Sequence, residues 1–139
     1  MRKGDCDRAI ADYSRAIQLQ PDHAEAYYHR GTAHASKGDH NLAVADFDCA
    51  IQLRSDYTEA HCACGAAHYA VGDYDRAIAH YSRAIALRRN SSAAYCGRGI
   101  TYGRKGDRDR AIADLRRVLE RGRDPVLVAQ ARAELRRLG

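Results

Sequence analysis

No run of apolar residues approaches the ~18 needed to carry a helix across a bilayer, which excludes a helical membrane span. The opening residues, Met1-Arg2-Lys3-Gly4-Asp5, have no apolar stretch behind the basic pair, so no secretory leader is visible. Cysteine occurs five times, an odd number at irregular spacing. Without an export signal the expectation is reduced thiols in a cytoplasmic protein, and the triplet Asn90-Ser91-Ser92 then carries no glycosylation meaning. Proline is scarce, at Pro21 and Pro125 only. No Gly-rich phosphate loop and no nucleophile–base signature is present, so neither catalysis nor a cofactor is expected.

What remains is a composition suited to a packed domain. Hydrophobic residues make up 45% and charged residues 29% of 139 positions, enough apolar content to bury a core and too much for disorder. The formal net charge of +5 is unevenly spread. Residues 1–87 hold nine Lys/Arg and twelve Asp/Glu, whereas residues 88–139 hold fourteen and six. The basic second half raises the question of a nucleic-acid or acidic partner there.

The sequence repeats itself every 34 residues. Gly4-Asp5, Gly38-Asp39, Gly72-Asp73 and Gly106-Asp107 share this period. So do Ala9, Ala43, Ala77 and Ala111, then Tyr13, Phe47, Tyr81 and Leu115, then Ala16, Ala50, Ala84 and Val118. Gly31, Gly65 and Gly99 keep the same step upstream. The spacing predicts one helix before each Gly-Asp, as over 24–37, and another after it, as over 40–53. Gly-Asp supplies the sharp turn. Gly31 and Ala43 are small enough for the paired helices to approach closely. A single hairpin cannot cover its apolar face, but stacked hairpins bury a continuous one.

The expected fold is therefore all-α, an α-solenoid of antiparallel helix pairs. Residues 1–23 supply the second helix of an incomplete unit, and complete units span 24–57, 58–91 and 92–125. Residues 126–139 form a C-terminal capping helix, with Asp124 as N-cap and Pro125 suited to the first helical position. Leu127, Ala131, Leu135 and Leu138 would face the core, with Arg132, Arg136 and Arg137 outward. The first helix, with Ile10, Tyr13 and Ile17, has no preceding partner. The expectation is a fragment of a longer array, with self-association through that edge as the alternative.

The 34-residue period and its small and aromatic columns resemble the tetratricopeptide repeat family over nearly the whole chain. Tyr27, His61 and Tyr95 stand in the family's aromatic column. Pro21 ends the first unit as the family pattern does, and Ser55, Arg89 and Arg123 depart from it. The resemblance implies a protein-binding scaffold whose first helices line a concave groove. Its lining would include Glu25, Tyr28, Thr32, Ala35 and Ser36, then Glu59, Cys62, Ala66, Tyr69 and Ala70, then Ala93, Cys96, Ile100, Gly103 and Arg104. Tyr28 and Tyr69 are the largest contact groups, and tyrosine is a favoured interface anchor. The Lys/Asn clamp by which some members hold a C-terminal carboxylate is absent, which argues against a chaperone-tail adaptor.

Two further patterns lie in the repeat columns. Arg30, Cys64 and Arg98 share one, and Asp46, His80 and Asp114 share another, so Arg–Asp pairs are expected in the first and third units. In the middle unit His61, Cys64 and His68 fall on one helix face, with His80 able to approach. That set could bind zinc, yet it lacks a recognised ligand spacing, and the expectation is no metal, with these residues filling positions held by Tyr or Arg elsewhere. Cys62 and Cys64 should face opposite ways. Cys62 and Cys96 would neighbour each other across the groove as free thiols.

The function expected is a non-catalytic scaffold that binds a peptide or helix of a partner protein in the groove. The alternative is binding of nucleic acid or an acidic partner through the basic face over residues 98–137. Its aromatic platforms are few, and Asp107, Asp109 and Asp114 dilute the field.

Overall fold

The computed structural model describes residues 2–139. Among these are eight helices and no strand: α1 (Lys3–Leu19), α2 (Ala24–Ser36), α3 (His40–Leu53), α4 (Thr58–Ala70), α5 (Tyr74–Leu87), α6 (Ser92–Lys105), α7 (Arg108–Arg121) and α8 (Pro125–Leu138). The chain is an all-α solenoid. Helices α2–α3, α4–α5 and α6–α7 form antiparallel hairpins, α1 packs on α2, and α8 packs on both α6 and α7. Successive first helices α2, α4 and α6 also touch along one side of the stack.

Gly4-Asp5 lies within α1 and makes no turn, but each of the other three Gly-Asp pairs does two jobs. Gly38, Gly72 and Gly106 adopt φ of 86°, 83° and 99°, a left-handed conformation that costs side-chain-bearing residues about 1–2 kcal/mol. The following aspartate then donates its backbone N–H back across the turn, Asp39 to the His34 carbonyl, Asp73 to His68 and Asp107 to Tyr102, each at 2.9 Å. This satisfies a carbonyl at the helix end. Asp73 and Asp107 also cap the next helix, accepting from Arg76 N and Arg110 N at 3.3 Å.

Close helix contact rests on the small columns. Ala43, Ala77 and Ala111 are fully buried, as are Ala50 and Ala84. A Cβ at Gly31 would sit 2.7 Å from Phe47, and one at Gly99 would sit 2.8 Å from Leu115. Phe47 and Leu115 are themselves almost wholly buried, so neither can yield cheaply.

At the C-terminal end Asp124 caps α8 by accepting from Val126 N at 2.9 Å, and Pro125 is the first helical residue. Ala131 is buried in a cluster with Cys96, Leu115 and Val118, and Leu127, Leu135 and Leu138 pack around it. Arg132 and Arg136 are exposed. Arg137 is exposed as well, and its guanidinium donates to Glu134, which is only 6% exposed.

Candidate peptide-binding groove

The groove is built from α2, α4 and α6. Tyr28 is its centre. The ring is half-buried and packs against Tyr57 at 5.1 Å and Phe47 at 5.9 Å between centroids. Burial raises its phenol pKa above the ordinary value. Two concavities open on either side of this ring. One, of about 430 Å³, runs between α4 and the start of α6, with Glu59, Cys62, Ala63, Ala66, Arg88 and Ala93 among its walls. The other, of about 220 Å³, is walled by Thr32, Ala35, Phe47, Ala63, Ala66 and Ala67. His40 also reaches the second, and its Nδ1 is buried without a hydrogen-bond partner.

The residues expected to line the groove divide into three groups. Tyr28, Thr32, Glu59, Cys62 and Ala66 do border these concavities. Glu25 sits at the edge, pairing with Arg54, whose guanidinium lies 3.6 Å above the Tyr57 ring. Ser36 is exposed at the end of α2. Tyr69 is half-buried against Tyr74, at 5.6 Å, and the buried Ala77–Tyr81–Ala84 cluster.

The third unit is different, because α8 occupies the place where a further repeat would present its first helix. Cys96 is therefore 2% exposed rather than open to the groove. Its thiol faces the Leu127 carbonyl and Gln130, and burial pushes it up to about 11. Ile100 packs into the cluster that includes Ala131. Arg104 pairs with Glu134 at 3.6 Å. Cys62 shares the wall of the larger concavity with Ser91, and all five cysteines are free.

Two contributors were not visible in the column pattern. Tyr81, from the second helix α5, reaches the floor of the larger concavity. It can do so because Gly97 stands where the earlier units carry Ala63 and His29: a Cβ at Gly97 would lie 2.4 Å from the Tyr81 ring. Gly97 was the available signal. Arg88 comes from the α5–α6 loop and faces Glu59 at 3.5 Å, placing one charge of each sign at the rim.

The basic second half is partly neutralised internally. Arg98 pairs with Asp114, Arg110 with Asp107, Lys105 with Asp75, and Arg104 and Arg137 with Glu134. Arg108 donates to the Leu138 carbonyl, and Arg117 lies 4.7 Å from the Tyr95 ring centroid.

Among solved structures the chain is similar to MamA, at 23% identity and a TM-score of 0.83 over 98% of this chain and 88% of that one. It is also similar to YrrB, described as a TPR protein with an unusual peptide-binding site, at 22% identity and a TM-score of 0.76 over 97% and 77%. The first TPR of Spaghetti (RPAP3), bound to the HSP90 peptide SRMEEVD, matches at 19% identity and a TM-score of 0.74 over 83% and 92%. No curated protein matches in sequence. A TPR repeat model matches residues 1–38 and 69–106, and tetratricopeptide repeat models match 24–57 and 92–124. With these matches laid over the helix hairpins, the chain belongs to the tetratricopeptide repeat family.

Proposed function

We propose that this chain is a non-catalytic protein-interaction module that holds a short segment of a partner protein across α2, α4 and the start of α6. The carrying observation is the pair of concavities flanking Tyr28. The smaller one is apolar and suits a buried aliphatic or aromatic side chain of the partner. The Glu59–Arg88 pair sets polarity at the mouth of the larger one and suits an uncharged or mixed-charge segment. Binding of peptides by relatives of the same fold, YrrB and the Spaghetti TPR, supports this reading. The acidic-tail mode is not proposed here, because Tyr28, His29 and Thr32 stand where the family's clamp would need Lys and Asn. Arg116, Arg121, Arg132 and Arg136 remain as an exposed basic surface, a weaker candidate that carries no aromatic platform.

Selection from a displayed peptide library tests the proposal. Peptides should be retained by the wild-type chain and lost with Ala66→Arg, which fills the groove from an exposed position. Retention should be indifferent to nuclease. Ligands that survive Ala66→Arg but vanish with nuclease or added salt would move the activity to the basic face.

A further inference from the structure

The three complete hairpins share one core position, and the middle one fills it with different chemistry. In the first, Arg30 donates to both Asp46 carboxylate oxygens at 2.8 Å and to Ser14 of the preceding helix at 3.1 Å. In the third, Arg98 does the same with Asp114 at 2.8 and 2.9 Å and with Ser82 at 3.2 Å. Shifted by one repeat, these positions in the middle hairpin are Cys64, His80 and Asp48. A cation that holds two helices in the outer hairpins is thus replaced by a thiol, an imidazole and a carboxylate. No Lys or Arg among the described residues pairs with Asp48, so the positive centre has no counterpart there.

The replacements converge. Cys64 Sγ lies 3.5 Å from His80 Nε2 and 3.6 Å from Asp48 Oδ1. Cys64 and His68 sit at i and i+4 on α4, hence on one face, and a ligand atom from each of Cys64, His68 and His80 falls within 4.8 Å of the others. A tetrahedral zinc ion, with Zn–S near 2.3 Å and Zn–N near 2.0 Å, separates a sulfur and a nitrogen ligand by about 3.5 Å. Cys64 is fully buried and His68 is 6% exposed, while His80 is half-buried and leaves a route of entry.

The imidazole is already turned the right way. His61 Nε2 lies 3.1 Å from the Ser55 carbonyl, which can only accept, so Nε2 carries the proton. In neutral His61 the bare Nδ1 faces His80 Nδ1 at 3.5 Å and accepts from it. That leaves His80 Nε2 unprotonated and aimed at Cys64. An outer partner that fixes the tautomer of a ligating histidine in this way is a recurring companion of metal sites. His61 belongs to the four residues of the sequence pattern that could bind zinc, but both its ring nitrogens are taken, by the Ser55 carbonyl and by His80.

We propose that the middle repeat binds a borderline-soft divalent metal ion, zinc first, through Cys64, His68 and His80, with the fourth position left to solvent and Asp48 beside the Cys64 sulfur. Binding ties α4 to α5, the same pairing of first and second helix that the guanidinium of Arg30 or Arg98 makes in its own unit. Burial and the Asp48 carboxylate push the Cys64 thiol up, so binding releases its proton to solvent.

The test uses tag-free protein stripped with a chelator, then titrated with Zn²⁺ against a chromophoric competitor and, separately, with Co²⁺. The expected result is one equivalent bound, a thiolate-to-cobalt charge-transfer band with intense tetrahedral d–d bands, and a higher melting temperature with zinc. Cys64→Ser should remove the charge-transfer band and weaken binding by about 100-fold or more, and His61→Phe by about tenfold. Cys49→Ser should change neither. Should Cys64→Ser fail to fold, the exchange Asp48→Ser/Cys64→Arg/His80→Asp, which copies the neighbouring hairpins, is the metal-blind control. Binding well below one equivalent, a cobalt spectrum without thiolate character, or affinity unchanged in either variant would overturn the proposal.

Discussion

The outer hairpins and the middle one solve the same packing problem with different chemistry. In the first and third, a guanidinium bridges an aspartate of its own unit and a serine of the unit before, and stacks near Tyr27 or Tyr95 at 5.6 Å. In the middle, His61 takes the tyrosine place and packs against His80, which in turn stacks on His68 at 5.3 Å. Burial and the neighbouring histidines lower the His80 pKa, whereas the outer hairpins hold an Arg–Asp ion pair at the same place. The 34-residue frame tolerates both because the backbone contacts, carried by glycine and alanine, are the same in each. The frame and the chemistry at this position are therefore separable.

That comparison can be broken most severely at the ion pairs. Asp114 is 6% exposed, so Arg98→Ala leaves a buried carboxylate uncompensated and should cost about 3 kcal/mol, read by urea denaturation. Replacing both partners, Arg98→Met with Asp114→Leu, should recover most of that loss. If the single and double changes cost the same, the pair contributes nothing beyond packing volume.

Next in size is the close helix contact. Gly31→Ala drives a methyl to 2.7 Å from Phe47 and should destabilise by about 2 kcal/mol. Gly65→Ala faces Tyr81 at 3.0 Å and should cost less. Equal melting temperatures for the two variants would contradict the packing account. Smaller again is Gly106→Ala, where φ of 99° is imposed on a residue with nothing within 4 Å of the new methyl. The expected loss is about 1 kcal/mol, from backbone strain alone. A loss indistinguishable from zero would mean the turn relaxes at no cost.

The least disturbance to stability should come from sharpening the comparison instead. Writing the outer chemistry into the middle hairpin, as Asp48→Ser/Cys64→Arg/His80→Asp, should leave the helical content unchanged and the melting temperature of the metal-free protein close to wild type. A collapse of secondary structure would show that the middle cluster is specified by its surroundings and not by the frame.

The sequence disclosed the frame well and the groove only in part. A fixed period of 34 carries phase information, so the turns at Gly38, Gly72 and Gly106, the Asp124 cap and the Arg30–Asp46 and Arg98–Asp114 pairs follow from columns. Residues such as Tyr28 and Ala66 could be placed because helical spacing fixes which way they point. Cys96 and Ile100 could not, since their burial depends on where α8 lands. Helical spacing reports a face and not what covers it. Tyr69 lies against Tyr74, a contact across the turn that spacing within one helix does not express. Tyr81 entered the groove through a gap left by Gly97 on a different helix, a contact between repeats that no column within one repeat expresses.

The central claim is that the open face around Tyr28 holds a partner segment, and amide hydrogen exchange of the chain with and without a selected peptide tests it most directly. The account predicts added protection in α2 and α4 and at the α5–α6 loop around Arg88 and Ser91, absent from the Ala66→Arg variant, with α7 and α8 unchanged. Protection confined to α7 and α8, with α2 and α4 unmoved, would contradict it.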